Sequence, residues 1–142
     1  MTTEGNPPNR TVLVLSAVGP IVELPVTALA VGSFPEVAQD AAFGSSGSQV
    51  AMAVALVAVI VAVATMWAGS RVGVGTRMAV GVTSWIAAGL VATLAVGFLV
   101  GARWVVLAVL LAHSTVALGV LGGLAVRPAT RPADGSERAV SG

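Results

Sequence analysis

Hydrophobic positions in this chain gather into long runs separated by short polar breaks. Val50 to Gly69, Met78 to Gly101 and Trp104 to Val126 hold no ionisable residue except His113. Each has the roughly 20 residues that a membrane-crossing helix needs. A fourth run, Thr11 to Gly32, has the length but carries Pro20, Glu23 and Pro25. Strand-like alternation is absent, and an open sheet cannot cross lipid because its backbone groups would go unpaired. The pattern therefore predicts an all-α membrane protein, a four-helix transmembrane bundle over residues 11–126. Its expected spans are 11–32, 50–69, 78–101 and 104–126. Residues 1–10 read as a cytoplasmic N-terminus. Residues 127–142, rich in Pro, Ala and Arg, read as a disordered cytoplasmic tail.

Composition sharpens this picture. Of 142 residues, 56% are hydrophobic and 9% charged, against a charged share of roughly 25% in soluble domains. With no cysteine and a single histidine, disulfides, iron–sulfur clusters, bis-histidine haem and multi-histidine zinc sites are excluded within one chain. No cofactor or metal is expected. All seven basic residues are arginine, which together with the abundance of Ala, Val and Gly points to a GC-rich bacterial genome. The net charge of +1 is spread over segment ends and forms no stripe for nucleic acid.

Charge placement gives the orientation. Arg10, Arg71, Arg77, Arg127, Arg131 and Arg138 fall on one side of the four spans, and Arg103 alone on the other. The positive-inside rule puts the first side, with both termini, in the cytoplasm of a bacterial inner membrane. The loop from Ser33 to Gln49 is then extracytoplasmic. Its first half, from Phe34 to Ala38, predicts a short interfacial helical turn, and Phe43 to Ser48 a flexible Gly/Ser linker. A rival reading takes Ala28-Leu29-Ala30 as a signal-peptide cleavage site, which leaves three spans.

The chemistry lies in the few polar residues inside the spans. A carboxylate at the centre of a span costs about 2.5–3.5 kcal/mol on insertion scales, so Glu23 needs a partner. Pro20 and Pro25 remove two helical N–H donors beside it and predict a kink. His113 lies nine residues from Trp104, as Glu23 lies nine from Gly32, which sets both roughly 13 Å below the outer interface. Thr93 shares that depth, and Thr27 sits one turn above Glu23. The expected polar layer is Glu23, Thr93 and His113, with Glu23 and His113 in contact. Ser114, next to His113 in sequence, is expected to face elsewhere. The spacing of Gly97 with Gly101, and of Gly119 with Gly123, predicts close helix packing. Trp104 and Trp67 suit interface anchors, and Trp85 needs a partner for its indole N–H. Enzyme signatures such as HExxH and GxSxG are missing, so no catalytic residue is assigned.

Two family resemblances rest on these residues. The acid-bearing first span, the Gly/Ser loop, the arginine loop after span two and the segment Ala112-His113-Ser114-Thr115-Val116-Ala117 resemble small four-span membrane proteins of unknown function from high-GC bacteria. That resemblance implies the topology and no activity. Glu23 in span one and Thr83-Ser84-Trp85 in span three also resemble the small multidrug resistance transporters. That likeness implies a dimer that uses Glu23 for proton-coupled transport. The chain departs from that family in its two prolines, its longer first loop and its lack of tyrosine. The reading favoured by the residues is a non-enzymatic membrane protein acting through helix–helix association, as a subunit or regulator. Its expected partners are the lipid bilayer and a homo-oligomer or another membrane subunit. A proton-coupled transporter and a phage-type pore former are the alternatives.

Overall fold

The structure, a computed structural model, describes residues 10–127; most of both predicted terminal segments lies outside the described residues. The elements are α1 (Arg10–Ser33), α2 (Pro35–Asp40), α3 (Gly44–Ala68), α4 (Val74–Val100) and α5 (Val105–Val126). No strand occurs among the described residues. Four of the helices are long and apolar enough to cross a membrane. α1 packs on α3 and α5, and α4 packs on the same two helices. The order around the bundle is thus α1, α3, α4, α5, closed by the α1–α5 contact.

One repeat sets this packing. Buried positions recur at alternating three- and four-residue steps on every long helix. They are Leu13, Ala17, Pro20, Leu24, Thr27 and Val31 on α1, and Ser48, Ala51, Ala55, Ala58, Ala62 and Thr65 on α3. On α4 and α5 the step continues through Val80, Ser84, Ala87, Val91, Leu94 and Phe98, then Leu107, Leu111, Ser114, Leu118, Leu121 and Ala125. A mean step of 3.5 residues keeps one seam facing the bundle axis when helices coil left-handed around each other. The sequence hides this stripe because the outward positions are apolar too: Leu15, Leu29, Ile60, Ile86 and Val106 are all more than half exposed. Such a surface suits lipid, where no hydrophobic force separates inside from outside and packing decides the seam.

One feature differs from expectation. The segment Gly44–Ser48 is not a flexible linker but the first turn of α3. Its small residues serve close approach to α1. Ser48 is fully buried, Ser45 donates to the Val31 carbonyl at 3.5 Å, and the Gln49 amide donates to the Ala28 carbonyl at 3.3 Å. The helix that carries the second expected span therefore begins at Gly44, six residues before Val50. In contrast, the expected helical turn is present as α2, tied to the residue that caps α5 by a 2.9 Å hydrogen bond from Trp104 Nε1 to Asp40 Oδ2. α1 runs as one continuous helix through Pro20 and Pro25. Pro20 sits in the buried stripe, where its missing N–H leaves the Ser16 carbonyl without its usual helical donor.

Candidate functional site: a carboxylate held between α1 and α5

Glu23 lies beside Leu24 of the buried stripe, at the edge where α1 meets α5. Its side chain is 16% exposed. His113 Nδ1 lies 2.8 Å from Oε1 and 3.0 Å from Oε2. Ser114 Oγ donates to Oε2 at 2.7 Å. The carboxylate is thus approached from both sides of α5, by an outward imidazole and by a fully buried hydroxyl.

The geometry corrects the expectation for Ser114. Adjacent residues on a helix point about 100° apart and do not face each other. A carboxylate, however, offers two oxygens, and one placed on the boundary between two directions engages both residues. Thr93 is corrected as well. Its exposed side chain donates to its own helix, at the Gly89 carbonyl 2.9 Å away. Equal depth brought it no closer to Glu23, because α4 stands across the bundle from α1 rather than beside it. Thr27 does lie on the Glu23 face and is fully buried, but its hydroxyl donates to the Glu23 backbone carbonyl at 2.8 Å, not to the carboxylate.

Gly19 completes the site, and it was not singled out by its sequence context. A Cβ placed there would stand 2.6 Å from His113 Cε1 and 3.1 Å from Nδ1. The imidazole therefore lies against bare backbone, one turn before Glu23 on the same helix face. The available signal was the i−4 spacing of a glycine from the buried acid.

The glycine pairs divide differently from their spacing. A Cβ on Gly119 or Gly123 would meet nothing within 4 Å, so no neighbouring helix is pressed against the α-carbons of this pair. Gly122, one residue away and rotated about 100°, faces Gly81: a Cβ on Gly122 would lie 3.1 Å from the Gly81 carbonyl oxygen and 2.6 Å from the indole of Trp85. Trp85 finds its partner there, donating from Nε1 to the Gly119 carbonyl at 3.3 Å. Gly97 packs on Ala42 in the connection before α3, and Gly101 meets only carbonyls of its own helix end.

No group of three or more metal-ligating side chains occurs among the described residues. A cavity of about 140 Å³ between α3 and α4 is lined by Ala58, Val61, Thr76, Ala79, Val80 and Thr83, and does not reach Glu23. Compared with family models, with curated proteins and with solved structures, the chain matches none. The residues and their geometry therefore carry the functional argument alone.

Proposed function

We propose that the chain is a non-enzymatic, multi-pass protein of a bacterial inner membrane that works through helix–helix association, as a subunit or regulator. The observation that carries this reading is the occupation of Glu23. Its two oxygens bond His113 and Ser114 of one neighbouring helix, and it lines no part of the α3–α4 cavity. A carboxylate used in this way joins α1 to α5. Proton-coupled carriage of a solute would instead require it to open onto a solute pathway. The orientation with both termini cytoplasmic rests on the six arginines at one end of the spans. Single cysteines at Ser46 and Ser136 should react with an impermeant thiol reagent from outside and from inside respectively, and the reverse pattern refutes the orientation.

The deciding experiment reconstitutes wild type and Glu23→Gln in liposomes under an imposed pH gradient. Ethidium serves as the cationic probe and trapped carboxyfluorescein as the leak probe. Neither gradient-driven uptake nor dye release is expected from either protein, while Glu23→Gln lowers the thermal stability of the bundle. Ethidium uptake by wild type that Glu23→Gln abolishes would replace this reading with the transporter. Release of carboxyfluorescein would replace it with the pore former.

A further inference from the structure

His113 is satisfied on one nitrogen only. Its Nδ1 is taken by Glu23, whereas its side chain is 55% exposed on the outside of the bundle. Among the described residues Nε2 has no hydrogen-bond partner. The ring sits eight residues into α5 from Val105, about 12 Å along the helix. That is deep within a hydrocarbon layer of roughly 30 Å, too far for the short imidazole to turn its nitrogen to the headgroups. The surrounding outward residues are Val22 and Val26 on α1 and Val109 and Val116 on α5, all half exposed or more. None offers a polar atom.

Two arrangements of the Glu23–His113 pair that carry no net charge put a hydrogen on Nε2, a net charge being the dear state in lipid. In the first, a neutral carboxyl donates its proton to Nδ1, so the ring hydrogen resides on Nε2. In the second, a carboxylate faces an imidazolium, and both nitrogens carry hydrogen. In each, Nε2 is an N–H donor aimed away from the bundle. On the acid side a lone pair remains open, since a carboxylate has about four acceptor positions and His113 and Ser114 do not fill them.

A face that carries one unused donor beside one unused acceptor is complementary to itself. A two-fold rotation sets the donor of each copy against the acceptor of the other, which is the isologous contact of a symmetric dimer. We propose that a second copy of this chain docks on the α1–α5 face, with His113 Nε2 of each copy donating to the Glu23 carboxyl group of the other. This rests on the association reading above and names its partner. The stiff valines around the polar centre lose little rotamer freedom when they pack, and Gly19 lets the imidazole lie flat against α1 rather than stand in the way.

The chain has no cysteine, so crosslinking has no background. Full-length protein with a single cysteine at Val109 or Val116 would be oxidised in liposomes that contain only this chain and lipid, at high lipid-to-protein ratio. Ile60→Cys, on the outward face of α3, is the control. Disulfide dimers are expected at Val109 and Val116 and not at Ile60. Monomer at both α5 positions, or equal crosslinking at Ile60, overturns the proposal. The dissociation constant, read by fluorescence energy transfer between labelled copies, should rise in His113→Ala by roughly 3- to 18-fold for each of the two contacts, as polar contacts in membranes do. An unchanged constant overturns the paired geometry even if crosslinks form. Absent crosslinks alongside a Glu23→Gln protein of lowered thermal stability would remove the second copy and leave the association reading standing. Ethidium transport would remove that reading itself.

Discussion

α5 makes two long contacts with opposite chemistry. Toward α4 it presents Gly122 to Gly81, and the backbones approach until a methyl group would have no room. Toward α1 it presents His113 and Ser114, which reach out to a carboxylate. The first contact works by removing side chains and the second by supplying them. In lipid both devices are needed, because apolar side chains gain nothing by leaving hydrocarbon for the bundle. Small residues gain dispersion contacts through proximity. Polar residues gain by escaping an unpaired state in a medium without water. At the α4–α5 seam the half-exposed Trp85 indole has its N–H paired, whereas at the α1–α5 seam a half-exposed imidazole keeps one nitrogen without a partner among the described residues. The difference is why the proposed second copy is placed on the α1–α5 face and not on the α4–α5 seam.

The strongest way to break the comparison is to overfill the tight seam. Gly122→Leu must push either the Trp85 indole or the Gly81 backbone, and only the indole has free space to move into. A loss of about 1–3 kcal/mol, or more, is expected, as for overpacked cores. Gly119→Ala adds its methyl where nothing lies within 4 Å and should cost no stability, with a gain of up to about 1 kcal/mol from the better helix former. Thermal unfolding of the two variants in the same detergent checks the contrast. Equal losses would show that Gly122 does not set the approach of α4 to α5.

The polar seam should respond more weakly and in a coupled manner. In a double-mutant cycle between Glu23→Gln and His113→Ala the coupling should be about 0.6–1.7 kcal/mol, the range of polar contacts in membranes. A value near zero would mean that the 2.8 Å contact adds no stability. Ser114→Ala removes the buried donor and should act on top of the His113 change, because its hydroxyl bonds the other carboxylate oxygen.

The relative level of Glu23 and His113 along their helices was legible in the sequence, and the azimuth of the helices was not. Length and the positions of charge set Glu23 and His113 at one level, and the chain order of the helices then allowed them to meet. Thr93 shares the level but faces outward, because depth counts residues from a helix end and says nothing of rotation. Rotation is read from the contrast between apolar and polar faces, and this chain erases that contrast by placing Val, Leu and Ile on the outside. The 3.5-residue stripe was therefore hidden, and with it the choice between Gly122 and its neighbours Gly119 and Gly123. The Gly/Ser run that opens α3 misled for a related reason. Small residues signal flexible linkers in water, but at a helix crossing in lipid they signal contact.

The smallest expected effect is at Gly19, and it tests whether the imidazole needs its bed of bare backbone. In Gly19→Ala the new methyl would overlap His113 Cε1 at 2.6 Å, with Nδ1 at 3.1 Å and Glu23 Oε1 at 3.6 Å. The backbone of α1 cannot retreat, being packed on its other side by α3. The ring can, since it is half outside the bundle. It should swing outward and stretch its bond to Glu23, while Ser114, fully buried on the far side of the carboxylate, keeps its own. Part of one polar contact is lost, worth at most about 0.6–1.7 kcal/mol. Alanine returns some of it by being a better helix former than glycine, by up to about 1 kcal/mol. The net change should therefore stay under about 1 kcal/mol, far below that of Gly122→Leu, and in a His113→Ala background only the gain in helix propensity should remain. A loss that persists without His113 would show that Gly19 serves the packing of α1 and not the ring. The two seams of α5 would then differ less than their chemistry suggests.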